Sequence, residues 1–152
     1  ENETSGELFE KMAVVGGNLL LETLDKLEKG EAPRIKQDEK NSSYAPILTK
    51  AEGEIDFNKP AIEIHNLIRG MNPWPIAYTY FEGKKLKIFS STIMNKKGTP
   101  GMILEDKSLI IGCKEGSLQI DTLQLEGGKR MQSRDFLNGR KISKGMILKK
   151  EN

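Results

Sequence analysis

The chain has 152 residues, with 24 Lys+Arg against 22 Asp+Glu, and one residue each of His, Cys and Trp. At 36% hydrophobic residues and a mean hydropathy of −0.52 it can build one core, or one core plus a piece of another, and no run approaches the ~18 apolar residues of a membrane span. The lone Cys113 excludes an internal disulfide framework and, with one histidine, argues against a structural zinc site; the polar start Glu1-Asn-Glu-Thr predicts no signal peptide, so a reducing, cytoplasmic setting is expected.

The first predicted element is a helix. Thr4-Ser5-Gly6-Glu7 fits a capping box, with Thr4 as N-cap and Glu7 at the third position. Leu8, Met12, Val15, Leu19, Leu20, Leu24 and Leu27 then recur at helical spacing, Gly16-Gly17 weakens the middle, and Lys29-Gly30 closes it. Residues 1–32 hold 3 basic and 8 acidic side chains, net −5. Such an apolar stripe needs a packing partner, and the residues that follow do not supply one. Residues 33–55, with Pro33, Pro46 and the polar run Gln37–Ser43, read as a linker.

Residues 56–152 read as one domain. A second helix is expected over Pro60–Met71, with Asn58 as N-cap and Ile64, Leu67, Ile68 and Met71 as its buried stripe. Trp74, between Pro73 and Pro75, is expected to plug a core corner rather than to meet a ligand. The period then drops to two. Strands are predicted at Ile76–Phe81 and Lys85–Ile93 around a Glu82-Gly83 turn, then at Gly101–Leu104, Leu109–Gly112 and Ser117–Leu125, with a short helix from Ser133 to Gly139 and a last strand at Gly145–Lys149. The expected fold is mainly β with short helices: a small OB-like antiparallel barrel preceded by one isolated amphipathic helix.

Chemistry is sparse. No Gly-rich phosphate loop, metal-ligand cluster or nucleophile motif appears. Cys113 reads as a buried, inert thiol, and His65 as a packing or capping residue rather than a general base. The charge pattern says more. Residues 33–82 carry 6 basic and 7 acidic side chains, net −1, whereas residues 83–152 carry 15 and 7, net +8. That segment is either a polyanion-binding surface or a solvated lysine surface. Lys84, Lys85, Lys87, Lys129, Arg130, Arg140 and Lys141 are the candidate phosphate contacts. Arg69 could serve the helix dipole or touch phosphate. Tyr78, Tyr80 and Phe89 are expected to be core or cross-strand pairs rather than stacking platforms, so recognition of structured RNA would run through backbone and shape, with little base readout.

Glu63-Ile-His-Asn-Leu-Ile-Arg-Gly-Met-Asn-Pro-Trp-Pro-Ile-Ala-Tyr-Thr79 resembles the start of the C-terminal domain of the methionyl-tRNA formyltransferase family. Tyr44-Ala-Pro-Ile-Leu-Thr-Lys50 with Gly53-Glu-Ile-Asp56 is similar to that family's linker, Glu3-Thr-Ser-Gly-Glu-Leu8 to its last catalytic-domain helix, and Gly128-Lys-Arg-Met131 with Asp135-Phe-Leu-Asn-Gly139 to its closing segment. The resemblance implies a formyltransferase C-terminal domain that binds initiator methionyl-tRNA and partners an N-terminal catalytic domain, of which residues 1–32 are the last helix. That catalytic domain would use 10-formyltetrahydrofolate as formyl donor. The region itself is expected to be inactive and to need no cofactor, metal or membrane. The alternative is a structural accessory domain of a sugar-nucleotide or other small-molecule formyltransferase. The family has Pro-Gly-Ala where this chain has Pro75-Ile76-Ala77, so the turn after Trp74 is expected to differ.

Overall fold

The computed structural model describes residues 2–140 and 142–148. Helix α1 spans Ser5–Glu28, starting one residue after Thr4 and running unbroken through Gly16-Gly17. It ends as a Schellman motif: Gly30 takes φ 73°, its N–H donates to Leu27 O, and the Glu31 N–H donates to Lys26 O at 2.8 Å. None of its residues is buried, and Phe9, Val15, Leu21 and Leu24 all stand at least half exposed. Residues 33–50 are exposed throughout, interrupted by one 3₁₀ turn, Glu39–Asn41, which the Asp38 carboxylate caps. The chain divides into two units, Gly6–Leu48 and Glu1–Ser5 with Thr49–Asn152.

The second unit is built on an antiparallel sheet. Its strands are β1 (Ala77–Phe81), β2 (Lys84–Met94), β3 (Ile103–Glu105), β4 (Ile110–Gly112), β5 (Ser117–Leu125) and β6 (Met131–Gln132). The order is β1-β2-β5-β4-β3, and β6 pairs with the far end of β5. The sheet does not close on itself; its shape is an open, OB-like antiparallel layer. The β1–β2 hairpin turns at Glu82-Gly83, both with positive φ (49° and 71°), the requirement of a type I′ turn. β2 and β5 lose register around Ile88, Ser90 and Ser91, a bulge that bends the long strand. β6 is a strand that two residues are too short to announce by periodicity. The expected last strand at Gly145–Lys149 reduces to a single Met102–Ile147 bridge, and Lys149 lies outside the described residues.

One face of the sheet is the core. Leu86, Ile88, Leu123 and Leu118 meet Ala61, Ile64 and Ile68 of α2 (Ala61–Gly70) and Phe136 of α3 (Ser133–Asn138) in one apolar cluster. Each of the Leu, Ile and Phe side chains contributes about 1.5–3 kcal/mol by leaving water. Asn58 does not cap α2. Its N–H and amide are spent on Asp56 Oδ1, Pro60 occupies the N-cap, and the Ala61 N–H instead donates across to Glu115 O in the β4–β5 turn at 2.9 Å.

Extended backbone runs along both outer strands. The Ile55 N–H donates to Tyr78 O at 2.8 Å beside β1. Beside β3, the Ile103 N–H donates to Met146 O at 2.8 Å and the Gly145 N–H to Ile103 O at 2.9 Å. Between α2 and β1 the chain turns through Pro73-Trp74-Pro75, with cis bonds at Asn72–Pro73 and Trp74–Pro75. Trp74 is not a core plug: it is 54% exposed. Ile76, expected to lack glycine's freedom, nonetheless sits at φ 75°, held by its N–H on Met71 O at 2.9 Å.

Candidate nucleic-acid interface

Alternation along β2 sends Leu86 and Ile88 to the core and Lys85 and Lys87 to the opposite face. Lys87 lies opposite Tyr78 of β1 and Gln124 of β5, and Lys85 opposite Tyr80. The outward face of β1–β2–β5 therefore interleaves cations with aromatic rings. Lys85 Nζ stands 3.8 Å from the Tyr78 ring centroid, and the Arg130 guanidinium 4.2 Å from that of Phe89. Tyr78 and Tyr80, two residues apart on the same face of β1, meet edge to face at 5.8 Å, while their cross-strand partners are Lys87 and Lys85. The Tyr78 hydroxyl donates to Glu54 Oε2 at 3.3 Å, and burial, then the Glu54 charge, raise its pKa.

These cation–ring contacts are weak, about 0.5–1 kcal/mol each at exposed sites, against about 1.5–3 kcal/mol for a hydrogen bond to a charged group. A phosphate can thus draw Lys85 or Arg130 off its ring at little cost. A groove of about 700 Å³ crosses this face, lined by Lys50, Trp74, Tyr78, Lys85, Lys87 and Phe89, with Gln124 and Glu126 also along it. None of its three lysines is paired with a carboxylate among the described residues. The Glu126 carboxylate instead accepts the Lys85 backbone N–H at 3.2 Å.

The remaining sequence candidates scatter. Lys84 opens β2 opposite Phe81 and is exposed, as is Lys129 beside Arg130. Arg140 covers Phe136, 5.1 Å from its ring centroid. Arg69 is engaged locally, its Nε donating to Asn66 Oδ1 at 2.9 Å and a guanidinium N–H to Glu3 O at 3.2 Å. Lys96, a further lysine of the basic segment and not one of those candidates, is paired with Glu105. Lys141 lies outside the described residues. Lys50 and Trp74 were missed because they reach the groove from segments far apart in the chain.

A Ser–His contact exists: His65 Nδ1 lies 3.1 Å from Ser91 Oγ. That pairing can activate a hydroxyl, but each residue is only 7% exposed, between α2 and β2, where no substrate reaches. Burial, and then the Arg69 charge, lower the His65 pKa. Cys113 is 2% exposed, and burial pushes its thiol up to about 11. Among the described residues no cluster of three His, Cys, Asp or Glu side chains could hold a metal ion, and no helix is long and apolar enough to cross a membrane.

An open OB-like sheet entered through Asn-Pro-Trp-Pro, with a helix on its inner face, is the arrangement of a formyltransferase C-terminal domain. The family model for the formyl transferase C-terminal domain matches residues 47–141, and the chain belongs to that family. Among full-length proteins it is similar to the methionyl-tRNA formyltransferase of Lachnospira eligens, 41% identical over 155 residues (96% of this chain, 49% of that one). The methionyl-tRNA formyltransferase of Geotalea uraniireducens is 43% identical over 152 residues (99% of this chain, 49% of that one). The chain thus spans about half the length of the curated relatives it matches. In fold it is similar to HypX from Aquifex aeolicus. One variant of HypX gives a TM-score of 0.64 at 20% identity over 90% of this chain and 26% of that one, and the HypX complex with tetrahydrofolic acid gives 0.59 at 19% over 88% and 26%.

Proposed function

We propose that this chain is the tRNA-binding C-terminal region of a methionyl-tRNA formyltransferase. It holds initiator methionyl-tRNA while formyl transfer is carried out by residues outside it. The observation that carries this reading is the outward face of β1–β2–β5, where Lys85 and Arg130 stand on aromatic rings, Lys87 lies opposite Tyr78, and the two lysines have no carboxylate partner among the described residues. Cations so placed release counterions when they meet a phosphate backbone. The names of the relatives point to the same substrate.

The residues at hand do not suit a formyl-donor site. The one histidine is buried against Ser91, so we assign no step to 10-formyltetrahydrofolate here and place its use in the part of the relatives this chain does not span. The exposed apolar side of α1 fits the same division, since it would pack on that part. Translation initiation in the cytoplasm is the setting this role implies.

A titration with initiator tRNA at several salt concentrations tests the reading. With roughly 4–6 phosphate contacts, log affinity should fall by about 0.7–0.9 per contact for each log unit of salt. Replacing Lys84, Lys85 and Lys87 together by Glu should abolish most of the binding. A flat salt response, or unchanged affinity in the triple variant, overturns the proposal and leaves the platform role in a small-molecule formyltransferase.

A further inference from the structure

We infer that the groove beside Trp74 holds an unpaired nucleotide of the bound RNA, its base stacked on the indole and its phosphate between Lys85 and Lys87. This rests on the reading that the chain binds RNA through this face, and deepens it: the site takes single-stranded nucleotides, not only a folded backbone.

Three observations carry the inference. First, a large aromatic side chain is left 54% exposed in a concave place, although burying an apolar side chain of that class stabilises a fold by about 1.5–3 kcal/mol. Second, the platform is fixed before any ligand arrives. Asn72 Nδ2 donates to Phe89 O at 3.0 Å, Asn72 O accepts from Ser5 Oγ at 2.6 Å, and the Ile76 N–H donates to Met71 O at 2.9 Å, so the backbone on both sides of Trp74 is tied down. Stacking on a held ring loses little conformational entropy. Third, the charge suits a phosphate. Lys50, Lys85 and Lys87 stand against Glu126 alone, a local balance of +2 among the lining residues.

The volume of about 700 Å³ lies within the ~300–1,000 Å³ of small-ligand sites, room enough for a nucleotide. A base inside a duplex offers no face to a protein ring. Unstacked bases in loops and at ends do, and every base has such a face, so the site tolerates sequence.

Because Trp74 is the chain's one tryptophan, its emission reports this site without a label. The whole chain, titrated with a short single-stranded oligoadenylate and with a blunt RNA duplex of equal length, should show quenching that saturates with the single strand and little change with the duplex. By anisotropy of a fluorescein-labelled strand, Trp74→Leu should bind roughly 5- to 150-fold more weakly, the worth of one stacked base, and Trp74→Phe should recover part of the loss. Far-UV circular dichroism should show both variants folded, as replacement of a half-exposed side chain allows. Steep salt-dependent tRNA binding with unchanged Trp74 emission, and equal affinity in Trp74→Leu, would overturn the inference and leave the RNA-binding surface standing. Absence of binding to tRNA and to every oligonucleotide would overturn both.

Discussion

His65 shows how one side chain couples the fold to pH. Its folded pKa lies below the ordinary 6.5 because burial disfavours the imidazolium. Between that lowered value and 6.5 the unfolded chain binds more protons than the folded one, so stability is fully present above 6.5 and is lost as pH falls through this window. The urea midpoint should therefore drop between pH 7 and pH 5, and His65→Gln should flatten that slope. Cys113 behaves in the opposite sense. With its thiol pushed up to about 11, little thiolate exists at pH 8, so a disulfide reagent should modify it only as fast as the protein opens. At Gly53 the limit is space: an added Cβ would sit 2.6 Å from the Ile76 carbonyl oxygen, which is backbone and cannot swing away. Gly53→Ala should cost about 1–3 kcal/mol, read as a fall of several degrees in the melting temperature.

Among the elements, the β1–β2 hairpin invites improvement rather than damage. Glu82 occupies φ 49° in a type I′ turn that favours Asn before Gly. Glu82→Asn should raise the urea midpoint by the equivalent of roughly 0.5–1 kcal/mol. The elements also show what a chain reading can and cannot reach. β5 runs over Ser117–Leu125 as predicted, because its alternation covers nine residues. β6 escaped because two residues carry no period. The cap of α2 was misplaced because its first N–H is satisfied by Glu115, 54 positions along the chain, and a local pattern cannot contain that bond. The candidate interface follows the same division. Lys85 and Lys87 were legible from their spacing on one strand. Trp74 was assigned to the interior from its place between two prolines at a helix-to-strand corner, and only the placement of its two flanking segments turns it outward.

For the molecule as a whole, the exposed stretch 33–50 runs from α1 across the boundary between the two units at Leu48 and carries Arg34, Lys36, Lys40 and Lys50. Limited trypsin digestion should cut first at the sites before Thr49, as exposed tips and linkers do. It should leave a resistant product beginning between Ile35 and Asn41 that includes the whole sheet. Protection of those sites under native conditions, judged by mass spectrometry, would contradict this.

The two borders of the open sheet have a consequence of their own. An unpaired border strand is a template on which another chain can add itself, the usual start of fibrous aggregation. Here the backbone of residues 54–55 occupies one border and that of residues 145–148 the other, so much of the hydrogen-bonding capacity there is already taken within the chain. The protein can thus keep its layer unclosed without inviting strand-by-strand polymerisation.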